Sequence, residues 1–405
     1  MTVPAGDRTN SDHGAIPAHR GFGVYVHVPF CATHCGYCDF NTYTRSETGS
    51  SFSEYLDALD SELALGAQRV AEWGYGPAQT VFIGGGTPSL LGAEGLGRIL
   101  DRVRGTFGLD PGAEVTTESN PESTSPEYFA GLREAGFTRV SLGMQSASTP
   151  VLRILDRQHT PGRAVAAAKE ARAAGFDHVN LDLIYGTPTE TDDDVRASLD
   201  AVLSADVDHV SAYSLIVEDG TAMARKIRRG ELPEPDEDTY ADRYEMIAAT
   251  LEAEGFSWYE VSNWAKPGGE CQHNLIYWRG GRWWGAGPGA HGFVGSTRFY
   301  NVKRPERYSA VLAEGKFPIE GTEEVTEADQ HFETLMLGLR LREGIMLSDV
   351  QDAAQGVVDK HVRDGLLRIF DGDGDGCGVG GKRVAVTDKG RLLADGIITD
   401  ILAAE

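Results

Sequence analysis

Between Gly21 and about Ser214 the chain alternates short apolar runs with longer segments in which apolar residues recur every three or four positions. The short runs are Gly23–Val28, Thr80–Ile83, Glu114–Glu118, Arg139–Leu142, His178–Ile184 and His209–Ser214, with the length of strands. Phe52–Trp73, Glu94–Arg104, Pro126–Ala135, Gly162–Ala174 and Asp192–Leu203 lie between them and carry the period of amphipathic helices. Gly136 and Gly175 stand where two of these helices end. Asp192, Asp193 and Asp194 follow Thr191, where negative charge suits a first helical turn. Six strand–helix units in alternation predict an α/β fold, a parallel sheet with outer helices. A closed barrel of this kind takes eight units, so six predict an open, partial (β/α)6 barrel.

The alternation breaks near Ile216. A Pro- and acid-rich connector, Glu231–Asp238, precedes a predicted helix at Thr239–Glu254 and then a Gly- and Trp-rich stretch, Ser257–Phe299, with little periodicity. From about Thr326 helical patterns return at Gln330–Arg342, Met346–Gln351 and Val357–Asp364. Leu366–Phe370 and Arg383–Thr387 read as a strand pair, with a last helix from Lys389. Helices followed by a two-stranded wing predict a winged-helix-like α+β domain. The chain thus divides into a loose tail (1–20), a barrel (21–230), a Gly/Trp-rich extension (231–325) and a C-terminal domain (326–405). The run Asp371-Gly-Asp373-Gly-Asp375-Gly376 opens like a calcium loop. Its twelfth position is Lys382, however, where such a loop needs a bidentate carboxylate, so a solvated wing tip is expected instead.

Charge narrows the classes of partner. With 37 Lys+Arg against 61 Asp+Glu the formal charge is −24, which argues against nucleic acid, because such binding relies on basic side chains displacing counterions. No run of about 18 apolar residues is present, so no transmembrane segment is expected. The polar first twenty residues lack the basic start and apolar core of a signal peptide, and the expected location is cytoplasmic.

Three of the five cysteines fall within eight residues, Cys31-Ala-Thr-His34-Cys35-Gly-Tyr37-Cys38, directly after the first predicted strand. An odd count bunched this tightly points to metal rather than to disulfides. Three thiolates on one loop each bind one iron of a cubane and leave the fourth iron open to a small molecule. A structural zinc site would want four ligands, and His34, between two ligands on the same short loop, is poorly placed to be the fourth.

Further polar groups collect at the same end of the predicted strands. Gly84-Gly85-Gly86-Thr87-Pro88 follows the second strand, and bare glycines there let the backbone approach a ligand closely. Glu118 ends the third strand, Gln145 follows the fourth, and Arg157 comes after the next turn. Asp182 interrupts the apolar fifth strand, where a carboxylate is costly unless paired. Each of these alone reads equally as a cap or a solvent-facing residue. Tyr25 could stack near the cysteine loop or belong to the core.

The C-x3-C-x2-C spacing with an aromatic, Tyr37, before the last cysteine resembles the signature of the radical S-adenosylmethionine (SAM) superfamily. The stretches YVHVPFC, GGGTPS, ESNP, SLGMQS and LDRQHT resemble its oxygen-independent coproporphyrinogen III oxidase-like (HemN-like) branch from about Phe22 to the C-terminus. The resemblance implies a [4Fe-4S] cluster on Cys31, Cys35 and Cys38, with SAM on the open iron and an electron donor to the cluster. It implies SAM contacts from Tyr25, Gly85, Gly86, Thr87, Glu118, Gln145, Arg157 and Asp182, and adds Tyr37 to the cofactor surroundings.

Two departures bear on activity. The oxidase motif continues to a further cysteine where this chain has Phe40, and the oxidase carries a longer segment before the position of Tyr25. The stretch Cys271-Gln-His273-Asn274-Leu-Ile-Tyr277-Trp278 lies in the region that holds five of the six tryptophans. From the residues alone, a packed aromatic core around a hydrogen-bonded His273 explains it well. The H-N-x-x-Y-W pattern is nonetheless similar to the haem-binding motif of the HemW-type haem chaperone subgroup. That resemblance implies binding of haem, with His273 as leading ligand, and transfer to an acceptor, expected in the respiratory chain. Cys271 and His291 are lesser candidates for the ligand, and His291 reads equally as a turn residue. Oxidation of coproporphyrinogen III is the alternative.

Overall fold

The computed structural model describes residues 21–372 and 381–405. The tail before Gly21 and most of the expected wing tip lie outside the described residues. The first half of the chain builds β1 (Phe22–Val28), α1 (Phe52–Ala71), β2 (Ala78–Gly85), α2 (Gly92–Thr106), β3 (Leu109–Ser119), α3 (Pro126–Ala135) and β4 (Arg139–Gln145). It continues with α4 (Thr149–Ile154), α5 (Arg163–Ala173), β5 (His178–Tyr185), α6 (Asp192–Ser204), β6 (His209–Ser214) and α7 (Ala222–Arg228). Strands β1 to β6 pair in sequence order and in parallel, the expected six-unit partial barrel.

Local chemistry sets the helix ends. Ser51 and Glu54 form a reciprocal capping box on α1, and Thr191 and Asp194 form another on α6, with Asp192–Asp194 in its first turn. Gly136 ends α3 in the left-handed region at φ 108°. The strands bury Val24, Val26, Val81, Ile83, Val140, Leu142, Val179 and Leu181 outward against the helices. Their alternate residues face the barrel lumen, and many of these are polar.

The stretch 231–325, read from the sequence as a Gly/Trp-rich extension, completes the sheet on both edges. After α8 (Glu237–Ala253), β8 (Asn263–Ala265) pairs antiparallel with β6, and β7 (Ser257–Glu260) pairs antiparallel with β8 at the sheet edge. Helix α9 (Gln272–Trp278) then crosses the N-terminal end of the barrel, and β9 (Arg282–Ala286) pairs in parallel with β1 as a seventh parallel strand. Strands β10 (His291–Val294), β11 (Thr297–Asn301) and, after α10 (Pro305–Ala313), β12 (Ile319–Glu324) continue as an antiparallel meander, giving twelve strands. Short strands rich in Gly and Trp lack a clean period, which hid them.

The C-terminal domain contains α11 (Glu327–Gly338), β13 (Ile345–Met346), α12 (Gln355–Arg363), β14 (Leu367–Gly372), β15 (Gly381–Val386) and α13 (Ala394–Ala404). Its strands form one antiparallel sheet, β13-β15-β14. The helix expected at Met346–Gln351 is instead the end of β13 and a single 3-10 turn, because Ile345 and Met346 pair with Val384 and Arg383. Among the described residues no helix is long and apolar enough to cross a membrane.

Candidate functional site

The cysteine loop leaves β1 at the C-terminal end of the sheet and is pinned along its length. Cys31 N–H donates to the Tyr43 carbonyl at 3.0 Å, and Tyr43 N–H to that of Pro29 at 2.7 Å, closing the base. In the middle, Gly36 N–H donates to Leu155 O at 3.2 Å, and Met223 N–H of α7 donates to Gly36 O at 2.9 Å. Tyr37 packs its ring on the apolar cluster of Val151, Leu155, Ile184, Leu215 and Met223. The loop is therefore held from three elements before any ligand arrives.

The three thiols are half-buried and unpaired by disulfide. Burial raises the Cys31 pKa, and burial with the neighbouring sulfurs pushes Cys38 up to about 11. Close thiols that resist ionisation for this reason are stabilised as thiolates by a cation among them. Among the described residues, no three His, Cys, Asp or Glu side chains converge as a single ion would require. His34 turns away to Glu47 at 2.6 Å.

One guanidinium, one hydroxyl and bare backbone lie against the sulfurs. Arg157 Nη1 lies 3.4 Å from Cys35 Sγ, and Thr87 Oγ1 is 3.7 Å from Cys31 Sγ. A Cβ on Gly86 would stand 2.5 Å from the Phe30 carbonyl and 3.0 Å from Cys31 Sγ, so only glycine fits there. Gly85 has φ +115° and donates its N–H to Glu118 at 2.9 Å. Burial raises the Glu118 pKa to about 7, and the nearby Asp182 adds to the effect. Asp182, raised mainly by burial, accepts from Asn180 at 2.6 Å and from Ser141 at 3.1 Å. Its partners are thus protein side chains. Gln145 sits at a bulge of β4 with φ +67°, a strain of about 1 kcal/mol or more. Among the described residues Arg157 Nε and His159 Nε2 are buried without a hydrogen-bond partner. The Arg157 guanidinium, which reaches Cys35, thus keeps an unpartnered N–H that suits a polar ligand.

Tyr25, Glu118 and Asp182 also line the barrel lumen, a cavity of about 150 Å³. The cysteine loop, Gly85–Thr87, Glu118, Gln145, Arg157 and Asp182 thus meet at one end of the sheet, whereas His273 does not join them. It sits on α9 at the floor of the lumen, 1 % exposed, stacked on Phe82 with ring centroids 5.4 Å apart. One ring nitrogen lies 2.7 Å from Thr80 Oγ1 and the other 2.8 Å from Tyr277 Oη. Burial takes its pKa down to about 3. Both ring nitrogens are thus engaged and the ring is enclosed. Cys271 is buried as well, its thiol directed at Glu114.

The sequence did not single out a polar chain running down the lumen. Asn180 links Asp182, Ser141 and Ser211, and its carbonyl oxygen accepts from His209 at 2.7 Å. His209 Nε2 lies 2.9 Å from the Tyr259 hydroxyl, and Asn274 Nδ2 donates to Glu260 at 2.9 Å. Polar residues at alternate positions of buried strands, such as Asn180 and Asp182, were its signal. His27 is a second omission. Its Nε2–H donates to Asn41 O at 2.9 Å, which leaves Nδ1 to accept from the Tyr25 hydroxyl at 3.0 Å.

Residues 25–202 match the model of the radical SAM superfamily, and residues 325–393 that of the HemN C-terminal domain. The chain is 56% identical over 382 residues to the heme chaperone HemW of Mycobacterium tuberculosis, covering 94% of this chain and 95% of that one. It is 36% identical to the heme chaperone HemW of Escherichia coli, covering 79% and 82% of the two. Among solved structures it resembles coproporphyrinogen III oxidase (HemN) from Escherichia coli. The TM-score is 0.77 at 24% identity, with 94% of this chain and 90% of that one covered, a likeness of fold.

Proposed function

The chain belongs to the HemW branch of the radical SAM superfamily, and from that premise we propose that it is a haem chaperone, binding haem and passing it to an acceptor protein. One observation carries the reading, the likeness over nearly the whole chain to proteins named heme chaperone. The cysteine loop supports it. Phe40, where the oxidase-like motif places a further cysteine, is 62 % exposed, an apolar side chain on the rim of the site.

In this proposal Cys31, Cys35 and Cys38 hold a [4Fe-4S] cluster, and Tyr25, Tyr37, Gly85, Gly86, Thr87, Glu118, Gln145, Arg157 and Asp182 surround SAM. When bound, the cluster supplies single electrons and SAM is the group they can cleave. The chain's own part is to hold and shield them. Arg157 keeps a positive charge beside Cys35, and the glycine run brings backbone N–H and carbonyl groups close. Glu118 and Asp182 offer carboxylates from the lumen to a cationic cofactor. Besides haem, the partners are an electron donor to the cluster and a haem acceptor of the respiratory chain, and the working location is the cytoplasm.

Anaerobically reconstituted protein titrated with haem should give a saturable Soret shift, and the loaded protein should pass haem to an apo-acceptor. With SAM and reductant it should leave coproporphyrinogen III undecarboxylated. Absence of any haem complex overturns the proposal, and a decarboxylated product would move the chain to the oxidase alternative.

A further inference from the structure

Strand β9 carries the inner face of the barrel outward past β1. Register places Trp283 opposite Gly23 and Gly285 opposite Tyr25, so both share the lumen-facing side. Phe293 lies opposite Trp283, His291 opposite Tyr300, and Tyr300 opposite Gly321. Tyr25, Gly285, His291, Tyr300 and Gly321 thus form one row leading from the SAM site across β1, β9, β10, β11 and β12. Two of the five are glycines. A Cβ on Gly285 would stand 1.9 Å from the His291 carbonyl, and one on Gly321 would stand about 2.5 Å from the Tyr300 hydroxyl. The row is therefore flat where strands crowd together.

His291 differs from His273 in the respects that matter for an iron. Its side chain is exposed and stacks on Tyr300, centroids 5.5 Å apart and planes 26° apart. Neither of its ring nitrogens has a hydrogen-bond partner among the described residues. Burial lowers the His291 pKa and charge repulsion from the exposed Lys303 adds to it; among the described residues Lys303 makes no ion pair. The loop before His291 is fixed to the cysteine loop, since Asn41 Nδ2 donates to the Pro288 carbonyl at 3.0 Å. Beneath the row, Tyr277 packs edge-on against Trp283 with centroids 4.6 Å apart, and Trp283 Nε1 donates to His291 O at 2.8 Å.

We propose that His291 is the iron ligand of a haem seated on this shelf, with Tyr300 and Trp283 bordering the macrocycle and Lys303 pairing with a propionate. The proposal rests on the haem-chaperone reading and changes the role of the H-N-x-x-Y-W segment. That segment supports the shelf through Tyr277, and His273 fastens it to the barrel. An exposed neutral imidazole beside an aromatic ring suits a flat apolar macrocycle with a central iron. An unpaired lysine in a chain of net charge −24 gives local complementarity to an anionic edge.

Ferric haem titration of the full chain, followed at the Soret band and by electron paramagnetic resonance, tests this. His291→Ala should bind at least tenfold more weakly and lose the imidazole-ligated signature. His291→Gly should regain that signature on addition of imidazole, an effect that general unfolding cannot produce. Lys303→Ala should weaken haem but leave haem dimethyl ester unaffected, and His273→Ala, checked for fold by circular dichroism, should keep its affinity within about threefold. Parent-like binding and spectra of His291→Ala overturn the assignment while leaving the haem-chaperone reading standing. So does loss of binding confined to a folded His273→Ala. Failure of the parent to bind haem overturns both.

Discussion

Glu62 on α1 shows how a single buried residue sets a pH dependence. Its carboxyl is fully buried and accepts from Gly287 N–H and Asn301 Nδ2, each at 2.7 Å, and from the Tyr308 hydroxyl. These contacts hold the loop that leads into β10 and the end of β11. Burial outweighs the three donors and raises its pKa from 4.5 to about 7. Between those values the folded chain keeps a proton that the unfolded chain has lost, so this residue makes stability fall as pH rises from 4.5 to 7. Glu62→Gln removes that slope. Relative to the parent it should be more stable at pH 8 than at pH 5 by about 2–3 kcal/mol, measured by denaturant unfolding at both values. An equal difference at the two pH values would contradict the assignment. Little of this was legible in the sequence, because Tyr308 and Asn301 lie more than 200 positions away. The cysteine loop and the glycine run were legible because their chemistry is contained in a few consecutive residues.

At the scale of the element, α9 is a seven-residue helix, too short to persist alone. It exists because the barrel floor receives it. Glu114 accepts from the backbone N–H groups of Gln272 and His273 at 3.1 and 3.0 Å, placing a carboxylate at the helix N-terminus. Arg139 pairs with Glu114 at 2.9 Å and also donates to the carbonyls of Gly269 and Glu270 at 2.6 and 3.0 Å. Removing one partner of a buried pair strands the other. Glu114→Ala should therefore cost about 3–5 kcal/mol in denaturant unfolding. Thr80→Val, which removes a single neutral hydrogen bond to His273, should cost about 1–3 kcal/mol. Equal losses would mean that Glu114 does not hold the helix. The six β/α units could be read from their periods because each closes on its neighbour. α9 and β9 could not, since Glu114 and β1 lie far back in the chain and only the folded sheet brings them together.

On the scale of the whole molecule, the barrel and the C-terminal domain share a core. One continuous cluster of buried side chains runs from Val24 and Val81 to Leu335, Val358 and Ile401. Polar contacts close the same seam. Trp258 Nε1 donates to Asp388 at 2.7 Å, Arg279 holds Glu343 through two bonds of 2.8 and 2.7 Å, and Arg342 N–H donates to the Tyr259 carbonyl at 3.0 Å. Arg279 and Glu343 are about a third exposed, so that pair contributes little beyond orientation. The shared apolar core is the stronger coupling. Splitting the chain at the boundary read from the sequence would expose it on both sides, and neither part would keep its packing. Cysteine loop, strands β9 to β12 and C-terminal domain should therefore unfold as one cooperative unit. Scanning calorimetry of the full chain should give a single transition with matching calorimetric and van't Hoff enthalpies. Two resolved transitions, with the C-terminal domain melting first, would show that the seam orients the domains without joining their cores.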